Sequence, residues 1–215
     1  MWCVVVGVGT DVLVALMVYL NTRLGDQFPW FIAPACALSW AVLRQSRLWF
    51  EPLPSVRPPS TAISTLISVL LGIAIAVITL LCVDLLSHDA FIHGSIVLAG
   101  DQYRTTAAVR AGVSLTVPVI ASFYEEAGVR GALQLRLQHV IGPRRAEILA
   151  GTVFVALHGL VIAKNPWQVA FLAFSAFANG RLAAVTQTVK YSVLSHGLSN
   201  GILIVTYVLL RETNA

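Results

Sequence analysis

Two adjacent glutamates and a following arginine are the side chains best suited to chemistry, because they lie inside a hydrophobic segment. Glu125, Glu126 and Arg130 follow a run of mostly apolar residues at 111–124. A charged side chain at bilayer depth costs about 2.5–3.5 kcal/mol on insertion scales, so each charge needs a partner. On a helix, Glu126 and Arg130 are four residues apart and pair on one face. Glu125 is left without a local cation, and we expect it to act with groups from other segments.

Histidine and asparagine occur on two later hydrophobic segments at the same four-residue spacing. Phe154 precedes His158 by four positions, and His196 precedes Asn200 by four. Counted at about 1.5 Å per residue from the charged ends of their segments, the polar groups lie roughly 9–19 Å below one membrane face. Peptide hydrolysis inside a membrane needs a water, a base and hydrogen-bond donors for the developing oxyanion. A carboxylate, two imidazoles and a carboxamide at similar depth supply such a set.

The three motifs together resemble the CAAX protease and bacteriocin-processing family, whose members are also described as Abi-type intramembrane glutamate proteases. The pattern is Glu-Glu-x-x-x-Arg at 125–130, Phe-x-x-x-His at 154–158 and His-x-x-x-Asn at 196–200. The motifs occur in the family's order on separate hydrophobic segments, and the resemblance covers residues 122–204. It implies a helical membrane protease that uses an activated water.

The resemblance also implies a role for each polar group of the motifs. Glu125 matches the general base that activates water, and His158 matches the histidine that holds and polarises this water. His196 and Asn200 match the pair that stabilises the oxyanion. We therefore expect a hydrolytic site built from three separate helices.

Two further predictions concern the residues that support the site and the possibility of a bound metal ion. The resemblance implies that Glu126 and Arg130 support the site. Glu125, His158 and His196 are also a legitimate set of zinc ligands, although no His-Glu-x-x-His motif occurs in the chain. We expect a metal-free glutamate mechanism without a cofactor, and a divalent metal such as zinc is the alternative.

Composition predicts an integral membrane protein. Of the 215 residues, 57% are hydrophobic and only 11% are charged, whereas soluble domains carry about 25% charged residues. The apolar runs are continuous rather than alternating, which predicts an all-α polytopic bundle and not a barrel. The net charge of +4 is assigned to membrane topology and not to nucleic-acid binding.

The apolar runs predict about seven to eight transmembrane helices in a single domain. Seven spans are expected, at residues 2–20, 28–43, 61–86, 111–137, 146–162, 167–185 and 191–210. An eighth arises if residues 91–99 enter the bilayer. Within the single domain at 1–215, residues 1–110 are interpreted as variable N-terminal helices and residues 111–210 as the catalytic core.

Positive charges orient the bundle. With seven spans, the arginines at 44–57, the pair Arg144 and Arg145, and Lys190 all fall on one side. The positive-inside rule makes that side cytoplasmic and places the N-terminus in the cytoplasm. The small size and high apolar content favour a prokaryotic protein of the inner, or cytoplasmic, membrane.

The predicted function is an intramembrane endopeptidase. Its substrate would be a membrane-anchored peptide or the C-terminal tail of a membrane-associated protein, within the lipid bilayer. Peptide maturation or removal of a sorting tail is favoured over processing of prenylated proteins. Two alternatives stay open: a small proton-coupled transporter with the same buried charges, and a non-catalytic immunity or scaffold protein that keeps the fold.

Overall fold

Helices form every regular element that the structure describes. The computed structural model describes residues 55–86, 121–123, 125–158 and 168–213. The elements in chain order are α1 (Thr61–Leu86), a π-helix (Glu126–Gln134), α2 (Leu135–Ile141), α3 (Pro143–Leu157), α4 (Gln168–Thr186) and α5 (Lys190–Thr213). The predicted all-α class is therefore confirmed for these residues.

Two described stretches, Thr61–Leu81 and Val169–Thr186, are long and apolar enough to cross a bilayer. The predicted spans at 2–20 and 28–43 and the possible eighth span at 91–99 lie outside the described residues. The total of seven to eight spans therefore stays a prediction.

The bounds of α1 agree with the span predicted from the sequence. Pro58 and Pro59 come just before it, and proline is not tolerated in a helix interior because it lacks a backbone N–H. The Ser60 hydroxyl accepts a hydrogen bond from the Ile63 N–H at 3.4 Å, which is the interaction of an N-cap. The helix thus starts where the prolines end.

Two unlike faces distinguish α1. The outer face exposes large apolar side chains, including Leu66, Leu70 and Leu81. The inner face carries small buried residues every four positions: Ser64, Ser68, Gly72 and Ala76. Of the described helices, α5 packs most extensively against α1. A Cβ added at Gly72 would lie 2.7 Å from the Ser195 carbonyl oxygen, so the two backbones approach closely, as small residues allow.

A sharp turn at Gly142 joins α2 and α3. Gly142 has φ +83°, a conformation that glycine adopts without steric cost. Pro143 opens α3, where its missing N–H loses no helical hydrogen bond. The turn lets α3 fold back on α2 and the π-helix and pack against α4. A buried apolar cluster fills this junction: Val129, Leu133, Ala150, Phe154, Leu172 and Ala176.

The π-helix lies within the transmembrane helix predicted at 111–137, and its winding differs from the α-helical winding expected there. Its nine residues are all buried, and the Leu135 N–H donates to the Arg130 carbonyl, five residues back. Such wide turns are rare and occur mostly at functional sites. Hydrogen bonds from this segment to α4 accompany the wider turn, and a sequence pattern does not reveal them.

Candidate active site

A fully buried ion pair anchors the π-helix. Glu126 and Arg130 have no exposed side-chain surface, and Arg130 Nε lies 3.4 Å from Glu126 Oε2. Arg130 Nη2 also donates to the Ala176 carbonyl of α4 at 2.9 Å, and the guanidinium lies 4.9 Å from the centre of the Phe154 ring. Burying two charges is costly unless both are paired and hydrogen-bonded. These contacts therefore hold Glu126 as a fixed negative charge.

His196 of α5 lies between the two glutamates. Its Nδ1 is 3.0 Å from Glu126 Oε1, and its Nε2 is 3.8 Å from Glu125 Oε2. Because an ionised carboxylate only accepts, Nδ1 carries the hydrogen and donates to Glu126. The hydrogen bond thus sets the tautomer and directs Nε2 toward Glu125.

His158 approaches Glu125 from another helix. His158 Nε2 lies 3.9 Å from Glu125 Oε2, and both side chains are partly exposed. His158 Nδ1 donates to the Phe154 carbonyl at 2.8 Å, because a carbonyl oxygen can only accept. The Nε2 of the neutral ring is consequently an acceptor. Two acceptors, a carboxylate oxygen and an imidazole nitrogen, face each other at a distance longer than a hydrogen bond.

The end of α3 determines where this imidazole lies. His158 caps α3 with φ −90° and ψ 15°, in the sparsely populated bridge region where many active-site residues occur. Its ring centroid is 4.5 Å from that of Phe154, and Phe154 also meets His196 edge-on at 5.8 Å. Phe154 thus contacts both imidazoles and packs beside the site.

The structure brings these predicted site residues into one connected cluster: Glu125, Glu126, Arg130, His158 and His196. Asn200, the sixth, lies one helical turn after His196 on α5 and is half-buried. The Ser199 hydroxyl donates to the His196 carbonyl at 2.8 Å, within the same turn. The catalytic roles given to these side chains stay predictions.

Two further buried polar residues, both glutamines, follow Arg130 along the chain, and the sequence interpretation missed them. Gln134 and Gln138 follow Arg130 at successive four-residue steps and are 1% and 3% exposed. Gln134 Nε2 donates to the Gly180 carbonyl at 2.6 Å, and Gln138 Nε2 donates to Gln187 Oε1 at 3.0 Å. The repeated spacing of polar residues in an otherwise apolar segment was the signal that could have found them.

Within the four described ranges, no group of three or more His, Cys, Asp or Glu side chains is arranged to hold a metal ion. The zinc alternative therefore gains no support from the described side chains, and the metal-free mechanism stays a prediction.

Comparison with known proteins points to one family. Residues 108–202 match the family model described as Rce1-like, type II CAAX prenyl endopeptidase. The matched range contains all three sequence motifs. No curated protein and no solved structure matches the chain.

Proposed function

Because residues 108–202 match the family model described as Rce1-like, type II CAAX prenyl endopeptidase, we propose that this protein is an intramembrane endopeptidase. It hydrolyses a peptide bond near the C-terminus of a membrane-associated protein or peptide, with Glu125 as the general base. The observation that carries the proposal is the meeting of three helices at Glu125 Oε2, which lies 3.9 Å from His158 Nε2 and 3.8 Å from His196 Nε2.

Water activation follows from the hydrogen positions. Glu125 Oε2 and His158 Nε2 are both acceptors, and their separation of 3.9 Å lets one water donate a hydrogen to each. The water oxygen then directs a lone pair away from both groups, toward a substrate carbonyl carbon. As the new C–O bond forms, Glu125 accepts the proton, and it later returns a proton to the amine that leaves.

His196 and Asn200 of α5 stabilise the oxyanion that forms when the water attacks the substrate carbonyl. His196 donates from Nε2 only when its ring carries both hydrogens, because Nδ1 already donates to Glu126. The carboxylates of Glu125 and Glu126 lie on opposite sides of the ring, so each ring nitrogen of the doubly protonated imidazole faces a carboxylate. Asn200, one turn away on the same helix face, supplies a second donor from its side-chain amide.

Glu126 and Arg130 support this chemistry by fixing the orientation of the His196 ring. The Arg130 guanidinium neutralises Glu126 and is itself bonded to the α4 backbone, so the Glu126 carboxylate has a defined orientation. Glu126 in turn orients the His196 ring through Nδ1. This arrangement keeps the second acid from competing with Glu125 for the proton of the water.

The proposal also includes the membrane topology and the cellular location of the protein. The protein is one polytopic domain of about seven to eight membrane spans, with residues 111–210 as its catalytic core. The N-terminus faces the cytoplasm of a prokaryotic cell, and the substrate lies in the lipid bilayer. The exposed apolar face of α1 supports contact with lipid.

The decisive experiment compares the wild-type protein with Glu125→Gln, which keeps the shape and removes the base. Mass spectrometry of peptides from membranes of expressing cells identifies a product that requires the intact site. Its cleavage rate should fall about 10²–10⁴-fold in the variant. Glu147→Gln is the matched control, because Glu147 is a part-buried glutamate that pairs with Arg181 away from the histidines.

Equal thermal unfolding of the three proteins shows that lost cleavage reflects lost chemistry. A product that persists undiminished in Glu125→Gln would overturn the assignment of the base. Wild-type protein that yields no product, while Glu125→Gln abolishes proton-coupled uptake, would identify a transporter. An unchanged cellular phenotype in the variant would identify a scaffold.

A further inference from the structure

Buried polar side chains continue along the helical segment after Arg130, beyond the residues that the proposed mechanism uses. We propose that Gln134 is a positioning residue for the proposed peptidase reaction, holding the π-helix against α4 so that Glu125 meets both histidines. The inference rests on the proposed function and adds to it a residue outside the catalytic set. Gln134 is the last residue of the π-helix, and Glu126 is the first.

Two bonds to the α4 backbone fasten the π-helix at matched intervals. Arg130 Nη2 donates to the Ala176 carbonyl at 2.9 Å, and Gln134 Nε2 donates to the Gly180 carbonyl at 2.6 Å. Donors and acceptors are each four residues apart, so the two helices are fastened in one register. Both donors are buried, where no water competes for their hydrogens.

Gly180 makes the close approach possible. A Cβ added at Gly180 would lie 3.2 Å from Gln134 Oε1 and 3.9 Å from Arg130 Nε. The first distance is tight for a carbon and an oxygen, so a larger residue would push the Gln134 amide away from α4. The absence of a side chain at position 180 therefore leaves the space in which Gln134 bonds to the α4 backbone.

The wide turn explains why this bond matters for Glu125. Glu125 precedes the π-helix directly and has helical backbone angles, so its direction depends on how the next turns are wound. A π-helix is rarer than an α-helix, and this one is bonded to the α4 backbone through Arg130 and Gln134. When the bond at its C-terminal end is lost, the segment relaxes toward α-helical winding and the Glu125 carboxylate turns relative to both imidazoles.

The test uses two substitutions of the same kind. Gln134→Met removes the donor while keeping length and approximate volume. Gln138→Met is the matched control, because Gln138 is also buried and also donates a hydrogen bond, to Gln187 in the turn after α4, but lies beyond the π-helix. We expect kcat to fall about 10- to 100-fold in Gln134→Met, the cost of misplacing a catalytic group. KM should change less than about twofold, since substrate binding is not altered.

Gln138→Met should keep kcat within about twofold of wild type while losing a similar amount of thermal stability. A merely structural role predicts the same kcat for both variants at equal stability, and that result would overturn the proposal. Unchanged kcat in Gln134→Met would do so as well.

A second measurement keeps this inference separate from the proposed function. Hydrogen–deuterium exchange of backbone amides at 126–135 should accelerate in Gln134→Met and stay unchanged in Gln138→Met. If wild-type protein cleaves nothing, the proposed peptidase activity fails, and the exchange still decides whether Gln134 holds the segment. Equal exchange in both variants would refute the positioning role.

Discussion

Two helix interfaces in this protein achieve close approach by opposite means. Between α1 and α5, small side chains let the backbones nearly touch, and Gly72 lies beside the Ser195 carbonyl. Between the π-helix and α4, long polar side chains reach across to backbone carbonyls, and Gly180 provides the space. The first interface contains no charge at the described inner-face positions of α1. The second contains the fully buried pair Glu126 and Arg130.

The two interfaces differ in the free-energy cost of the polar groups that they bury. Small-residue packing holds helices together with little penalty, because no charge must be taken out of water. Polar packing carries a desolvation penalty, which ion pairing and hydrogen bonds offset in part, and Glu126 Oε2 and Arg130 Nη1 have no hydrogen-bond partner among the described residues. Here it is used beside Glu125, where direction matters as much as proximity. α5 joins the two regions, since it packs against α1 and carries His196 to Glu126.

Breaking the polar interface should have the largest effect on stability. Arg130→Met leaves Glu126 buried without its main cation, and we expect the free energy of unfolding to fall by about 3–5 kcal/mol. Thermal unfolding of purified protein in detergent measures the loss. The double variant Glu126→Gln with Arg130→Met removes both charges and should recover much of it. A single variant as stable as the double would show that the ion pair is not what holds this interface.

Crowding the small-residue interface should have an intermediate effect. Gly72→Ala places a Cβ 2.7 Å from the Ser195 carbonyl oxygen, and overpacking of this kind costs about 1–3 kcal/mol. The matched control is Gly201→Ala, because nothing lies within 4 Å of a Cβ added at that helical glycine. The control should gain up to about 1 kcal/mol from helix propensity. If the two alanine variants unfold at the same temperature, α1 and α5 are farther apart than described.

The smallest effect should come from an ion pair outside both interfaces. Arg181 Nη1 lies 3.6 Å from Glu147 Oε2, but the arginine side chain is 70% exposed. Exposed pairs contribute about 0–1 kcal/mol and are screened by salt. Arg181→Gln should therefore leave thermal unfolding nearly unchanged in high salt. A loss comparable to that of Arg130→Met would mean that charge at any position, and not burial, determines the stability of this bundle.

Spacing and hydrophobicity predicted much of what the described residues show. The apolar run at 61–86 predicted α1 with its observed bounds. Four-residue spacing predicted that Glu126 pairs with Arg130, and the two side chains do so. Depth counting predicted that Glu125 meets His158 and His196, and its carboxylate lies within 4 Å of both imidazoles.

The features that escaped prediction depend on atoms that no residue type reveals. The acceptors for Arg130 and Gln134 are backbone carbonyls of α4, which every residue possesses. The π-helical winding follows from hydrogen bonds shifted by one residue, and neither composition nor periodicity distinguishes it from an α-helix. The tautomers of His158 and His196 likewise depend on neighbours that only folding supplies.

The unequal exposure of the two neighbouring acids has a practical consequence for inhibitor chemistry. The Glu125 side chain is 23% exposed, whereas Glu126 is 0% exposed. A small carboxyl-esterifying reagent, such as a diazo compound, should therefore label residue 125 and spare residue 126. Of these two neighbours, a covalent probe of this kind would report on Glu125, and a cationic warhead placed at the same opening would reach Glu125 and not Glu126.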